Sequence, residues 1–212
     1  MQPVLYYIHD PMCSWCWAFE KARHALFSRL PDTVRIRRLL GGLAVDSNTP
    51  MPPEMVDYVQ ANWRAIEARF PDLHFNFAFW TRCQPRRATW PACRAVIAAR
   101  EQGGVWDQMM TRAIQQAYYR QARNPSEDST LIELADELGL DSQRFAASLN
   151  ASATRTKLQD EIQRMRDLHV NSFPSLVLQT ESGAYPIAVD YQSAPAMEEG
   201  ILRYLQREAQ HE

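Results

Sequence analysis

Apolar and polar positions repeat along the chain with two periods, and the change from one to the other marks its elements. Val4 to Ile8 (VLYYI) is a short run of β-branched, aromatic and aliphatic residues halted by Asp10 and Pro11, the pattern of a buried strand ending in a loop. Beyond that loop Cys16, Phe19, Ala22, Leu26 and Leu30 recur at helical spacing, which predicts one helix ending before Pro31. Val34 to Leu40 (VRIRRLL) alternates apolar and basic residues, then turns wholly apolar, and Gly41-Gly42 closes it as a second strand.

From residue 45 to 151 the strand signal almost vanishes. The proline-rich VDSNTPMPPE leads into helical periodicity, with Cys93, Val96, Ile97 and Arg100 on one face over 88–101. Trp106, Met109, Met110, Ala113 and Ala117 come together over 105–120. Leu131, Leu134, Ala135 and Leu138 stripe a third helix that Gly139 ends, and Asp141 caps a fourth holding Phe145 and Leu149. Leu158, Ile162, Met165 and Leu168 then stripe another helix. Pro174 leads SLVLQ, and after a turn at Gly183 residues 185–189 are near enough to 175–179 for an antiparallel hairpin. Met197, Ile201, Leu202 and Leu205 mark a terminal helix. Residues 1–44 and 152–212 therefore form an α/β frame ordered β-α-β-α-β-β-α, into which 45–151 is inserted as an all-helical segment. The two parts are expected to make one compact unit.

Composition narrows the function classes. Among 212 residues, 23 basic side chains balance 25 acidic ones, so no polybasic nucleic-acid surface is indicated. A hydrophobic share of 46% implies a real core and excludes disorder or a collagen-like repeat. The seven glycines are too scattered for GxGxxG or a P-loop. His24, His74, His169 and His211 form no HExxH, and GxSxG is absent. The opening residues lack a basic n-region and an apolar h-region, and there is no 18-residue apolar run, so the expectation is a soluble chain without membrane contact. If residue 1 is the natural start, the protein is cytoplasmic. In a reducing compartment two closely spaced thiols point to catalysis or metal binding.

Those thiols are Cys13 and Cys16, a CxxC placed where a strand passes into a helix. Helix N-terminal N–H groups and the macrodipole favour an anion, so Cys13 is expected to be the attacking thiolate. Cys16 lies one turn in on the apolar face, screened from substrate and placed to resolve a mixed disulfide. Met12 and Trp15 flank the nucleophile and, if exposed, make an apolar lip suited to polypeptides. Trp17 reads as core packing between helix and sheet. Asp10 stands close enough in sequence to accept the proton of the buried cysteine, although Asp-Pro also opens turns; for His9, just before it, the reading set against a functional one is that it simply ends the strand. Cys83 and Cys93 admit three readings: free thiols acting as small hydrophobes, a second disulfide or redox relay, or part of a four-cysteine zinc site. Arg86 and Arg87 read as a solvated basic pair, with contact to an anionic thiol such as glutathione as the alternative.

DPMCSWCWAF after an apolar strand, GGL after the second strand, the long helical insertion and HVNSFPSLVL together resemble the DsbA-like group of thioredoxin-fold disulfide oxidoreductases. More narrowly they resemble its leaderless bacterial branch, related to the FrnE proteins and often labelled protein-disulfide isomerases. The resemblance implies a thioredoxin-like fold, with Cys13 as nucleophile, Cys16 as resolving cysteine and Pro174 as a cis-proline. Such a proline would put the Phe173 backbone beside the CxxC, where an extended peptide can pair with it. Phe173 departs from the small or β-branched residue common before that proline. Ser14-Trp15 matches neither Pro-His nor Gly-Pro, so these two residues give no redox potential.

The implied activity is thiol–disulfide exchange or isomerisation on thiol- or disulfide-containing polypeptides. No cofactor is expected beyond the redox-active disulfide itself, with glutathione as an optional co-substrate. Two rivals remain open on sequence: a glutathione-dependent isomerase or transferase of the kappa or hydroxychromene-carboxylate isomerase type, and a non-catalytic module that binds through its cysteines.

Overall fold

The computed structural model describes residues 2–209; His211 lies outside them. β1 (Val4–His9) is the strand that organises the rest, and its alternation sends side chains to two different cores. Leu5 and Tyr7 face one side with Phe19 and Leu26, while Tyr6 and Ile8 face the other with Ala92, Val96 and Val177. Cys13 is the N-cap of the short helix α1 (Ser14–Ala18), and α2 (Glu20–Phe27) follows directly. The sequence stripe predicted one continuous helix here. The helix instead breaks at Phe19, which is wholly buried between the two segments, and it ends at Phe27.

β2 (Arg35–Leu40) runs parallel to β1 with Val4 opposite Arg35 and His9 opposite Leu40. Gly41 N–H extends that ladder by donating to the His9 carbonyl at 2.7 Å. Seven helices then follow: α3 (Pro53–Arg69), α4 (Phe79–Arg82), α5 (Trp90–Arg100), α6 (Val105–Tyr119), α7 (Asp128–Glu137), α8 (Ser142–Leu149) and α9 (Ser152–Asp167). Hydrophobic periodicity located α5 to α8 within a residue or two, and for α9 its stripe from Leu158 to Leu168 marked the helix but not its start at Ser152. α3 and α4 fell only under the general expectation of helix, because α3 buries just Trp63 and Ile66 and so carries a thin apolar stripe.

β3 (Ser175–Gln179) returns antiparallel to β1, and β4 (Ala184–Ile187) pairs antiparallel with β3, giving the sheet order β2-β1-β3-β4. Pro186 is tolerated because β4 is an edge strand, where a missing N–H breaks no ladder. The described part of the chain closes with α10 (Ala194–Ala209), which packs on α2. This mixed four-stranded sheet with its helices is a thioredoxin-like fold of the α/β class.

Among the described residues the buried apolar side chains cluster in three groups. Tyr6, Ile8, Leu39 and Leu40 of the sheet share one core with α5 to α9; Leu5, Tyr7, Leu176 and Leu178 share another with α2 and α10. The third is aromatic: Trp17, Trp63, Phe75, Phe79, Tyr118 and Tyr119 join α1 to the insertion. Trp17 is accordingly core, as expected. Its neighbours, however, are insertion aromatics rather than the sheet, and its ring stacks on Tyr119 with centroids 5.7 Å apart.

Candidate active site

Loop 10–13 delivers Cys13, and Asp10 holds that loop. Its buried carboxylate accepts Met12 N–H and Leu43 N–H at 2.8 Å each, the Thr89 hydroxyl at 2.6 Å and the Cys93 thiol at 3.5 Å. Burial raises the Asp10 pKa, and those hydrogen bonds act against the rise. One carboxylate thereby joins the CxxC loop, the GGL loop and the start of α5.

Cys13 N–H bonds the Asp10 carbonyl at 3.1 Å, and Cys13 has an extended backbone (φ −82°, ψ 115°) at the start of α1. Its sulfur reaches the Phe173 carbonyl oxygen at 3.7 Å, 160 residues away in sequence. The Phe173–Pro174 peptide bond is cis. Cys13 is 7% exposed, whereas Cys16 is at 1%. Burial pushes the Cys16 thiol well up, and the neighbouring Cys13 sulfur adds to the rise. The geometry thus separates an outer sulfur, beside a peptide carbonyl, from an inner one.

Met12, Ser14, Trp15 and Phe173 are all half-buried around this point. Trp15 is not a free lip: its indole N–H donates to Asn62 of α3 at 3.1 Å, and its ring meets Tyr191 edge-on with centroids 5.6 Å apart. The Phe173 ring covers Gly41 so closely that a Cβ there would stand 2.0 Å from Cε1. Gly42 adopts φ +60°, and its carbonyl accepts the Trp90 indole N–H at 3.1 Å. The two glycines are therefore needed for close approach and for backbone conformation respectively.

The thioredoxin family profile matches residues 6–189. This chain belongs to the thioredoxin family. Among solved structures, this thioredoxin-family chain is similar to a candidate protein disulfide isomerase from Nitrosomonas europaea, with a TM-score of 0.82, 26% identity, and coverage of 98% of this chain and 99% of that one. It is also similar to the cytosolic disulfide reductase DsbM from Pseudomonas aeruginosa, with a TM-score of 0.72, 22% identity, and coverage of 99% and 100%. The same DsbM is known with GSH, where the TM-score is 0.70 at 21% identity, with coverage of 98% and 99%. The fold is that of the DsbA-like oxidoreductases, as the sequence motifs implied. A curated relative is the ClpXP adapter protein SpxH of Shouchella clausii (strain KSM-K16), 24% identical over 207 residues that cover 89% of this chain and 64% of the relative. The chain spans under two thirds of the length of the curated relatives it matches.

Other expected residues of this thioredoxin-family chain have different surroundings. Cys93 is buried in the core formed with α5 to α9 and faces Asp10, whereas Cys83 donates to the Ala122 carbonyl at 3.2 Å beside the aromatic cluster. Arg86 is not solvated: it pairs with Glu127 at 3.1 Å and also bonds the Ser126 carbonyl, so it serves as a strut for the 124–127 turn. Among the described residues no three His, Cys, Asp or Glu converge as metal ligands, and no helix is long and apolar enough to cross a membrane. Sequence reasoning did not single out Asn62 or Tyr191, and it used Gly41 only as the end of the second strand and part of the GGL motif. Each acts through a partner distant in the chain, and no local pattern announces such a partner.

Proposed function

We propose that this chain is a thiol–disulfide oxidoreductase for polypeptide substrates. Cys13 attacks a substrate disulfide to form a mixed disulfide, and Cys16 resolves it. The observation that carries this reading is the placement of the Cys13 sulfur 3.7 Å from the Phe173 carbonyl, with Cys16 buried behind it. A peptide lying along residues 172–174 in extended form would use that backbone for β-pairing. Half-buried Met12, Trp15 and Phe173 would contact its apolar side chains.

Within this reading Pro174 shapes the peptide-binding backbone and Ser14 lines the approach to Cys13. A reductase or isomerase role in a reducing cytoplasm is favoured over oxidation, supported by the likeness to a cytosolic disulfide reductase. Glutathione is the proposed small-thiol recycling partner, because that same relative is known with GSH. The relatives named as ClpXP adapters support a second reading, in which the rim around Cys13 docks a protein without exchange.

The wild type should accelerate insulin reduction by dithiothreitol and reactivation of scrambled ribonuclease, and Cys13→Ser should abolish both. Equal activity in the variant would overturn the redox reading in favour of docking. Cys16→Ser should accumulate a substrate adduct through Cys13, visible by mass spectrometry under non-reducing conditions. The potential of the pair decides direction: a value near about −220 to −320 mV fits a reductase or isomerase, and one near about −120 mV an oxidant.

A further inference from the structure

Behind Cys16, on the side away from substrate, lies a small cavity of about 20 Å³. That exceeds the roughly 10–15 Å³ that one water needs. Tyr7, His9 and Cys16 line it on the β1–α1 side. His9 is 1% exposed, and neither of its ring nitrogens has a hydrogen-bond partner among the described residues. A buried imidazole with two unmet nitrogens beside a polar cavity is costly unless water fills it. Strand alternation brings this about: Tyr7 and His9 share the face of β1 turned toward α1 and α2, with ring planes 1° apart and centroids 4.7 Å apart.

Asp10, the acid nearest in sequence, is poorly placed to take the Cys16 proton. A carboxylate offers about four lone-pair sites. Leu43 N–H, the Thr89 hydroxyl and the Cys93 thiol crowd Oδ2, and Met12 N–H takes a site on Oδ1, so the carboxylate is already engaged in holding its loop.

We propose that, as Cys16 attacks the mixed disulfide, it passes its proton through one bridging water in this cavity to His9. The inference rests on the oxidoreductase reading and names the proton acceptor of its second step. The Cys16 S–H bond breaks, its proton goes to the water, and a proton of that water goes to an imidazole nitrogen. The sulfur's electron pair forms the Cys13–Cys16 bond, the bond from Cys13 to substrate breaks, and the substrate sulfur leaves as a thiolate. Over the full cycle the two cysteines lose two electrons and the substrate disulfide gains them. His9 then releases the proton through the cavity, whose wall includes the partly exposed Glu20 and Arg112.

The charges around His9 set its resting state. Arg23 of α2 and Arg38 of β2 line the same cavity, and Arg100 of α5 acts on the ring from further away. Burial first, and these cations after it, hold the imidazole well below the ordinary histidine range, so it is neutral at neutral pH. Tyr7 lines the cavity beside Cys16, and burial first, with the Cys16 sulfur adding to it, raises its pKa, so the phenol stays protonated. Glu20 and the Cys16 thiolate, once formed, are the negative charges that favour an imidazolium. Proton transfer and thiolate formation therefore support one another.

The test uses the reduced full-length protein with dithionitrobenzoate, which releases one thionitrobenzoate on attack by Cys13 and a second on resolution by Cys16. His9→Gln keeps a hydrogen-bonding side chain but cannot take up a proton. It should leave the first release unchanged and slow the second about a hundredfold. The second release should also become steeper with pH, rising about tenfold per unit as expected for a thiol that must ionise unaided. In the wild type the second release, and not the first, should show a normal solvent deuterium isotope effect. This measurement stands even if the variant fails to fold. An unchanged second release in folded His9→Gln, equal slowing of both releases, or a wild-type isotope effect that is absent or inverse would overturn the relay alone. Absence of the first release in the wild type would overturn the oxidoreductase reading and the relay with it.

Discussion

Gly41 is the position where one methyl group should disturb the site most. A Cβ would meet Phe173 Cε1 at 2.0 Å, and the Phe173 carbonyl is the group beside Cys13. Gly41→Ala should therefore displace the ring, cost about 1–3 kcal/mol as an overpacked site does, and lower insulin reduction. Urea unfolding at constant m together with turnover checks this, and unchanged turnover would mean that the Phe173 ring does not position the carbonyl. His9 predicts a pH effect on stability. Its folded-state pKa lies below the ordinary 6.5, so below that pH the unfolded chain binds the extra proton and the folded state loses ground. The stability gap between wild type and His9→Gln should thus be constant above about pH 7 and shift against the wild type by about 1.4 kcal/mol per unit on acidification. Asp10 and Glu161, both raised by burial, act in the opposite sense but are common to both proteins and cancel in the comparison.

Capping and anchoring of the insertion helices give predictions that leave chemistry untouched. Asp141 accepts Arg144 N–H at 2.9 Å at the start of α8, far from the CxxC in sequence. Asp141→Ala should cost about 1 kcal/mol, read from the denaturation midpoint, with both dithionitrobenzoate releases unchanged. Gly139, at φ +79° just after α7, allows the tight turn into α8. Arg94 of α5 has a larger role: 3% exposed, it meets both Asp46 oxygens at 2.8 and 2.9 Å and donates to the Leu149 carbonyl and to Asn150. The planar fork serves several acceptors at once, so Arg94→Lys should not restore what Arg94→Met loses, measured as the unfolding midpoint of each.

The core shared by the sheet and helices α5 to α9 bears on how the molecule unfolds. Tyr6 and Ile8 of β1 pack in the same cluster as Val96, Met110 and Leu131 of the insertion. Frame and insertion should therefore melt together, with tryptophan fluorescence and far-ultraviolet circular dichroism giving coincident curves. Met110→Ala, at a wholly buried position in that cluster, should cost about 2–5 kcal/mol of stability and lower the single midpoint without splitting the transition. Two separated transitions would mean that the insertion is an independent domain.

Much of this was legible in local pattern. Apolar pattern alone placed β1, β2, β3 and helices α5 to α10, because a run buried on both faces, as in β1 and β3, or a stripe on one face, as in the helices, is written in the residues themselves. The CxxC at a strand–helix junction was legible for the same reason: its neighbours in space are its neighbours in sequence. Other features depended on contacts across the chain. Phe19 breaks a helix that its own stripe would continue, since two cores meet there. Arg86 and Trp17 took partners in the insertion that no spacing reveals. Asp10 and His9 are adjacent in sequence, and pattern gave no reason to prefer one as the neighbour of the Cys16 thiol. His9 ends the strand and Asp10 opens the loop after it; packing then engages the carboxylate of Asp10 with four donors while leaving His9 beside a cavity behind Cys16. The sequence alone determined which chemistry is present, and the tertiary structure decided which groups share a space, because burial and hydrogen-bond saturation are properties of the packed whole.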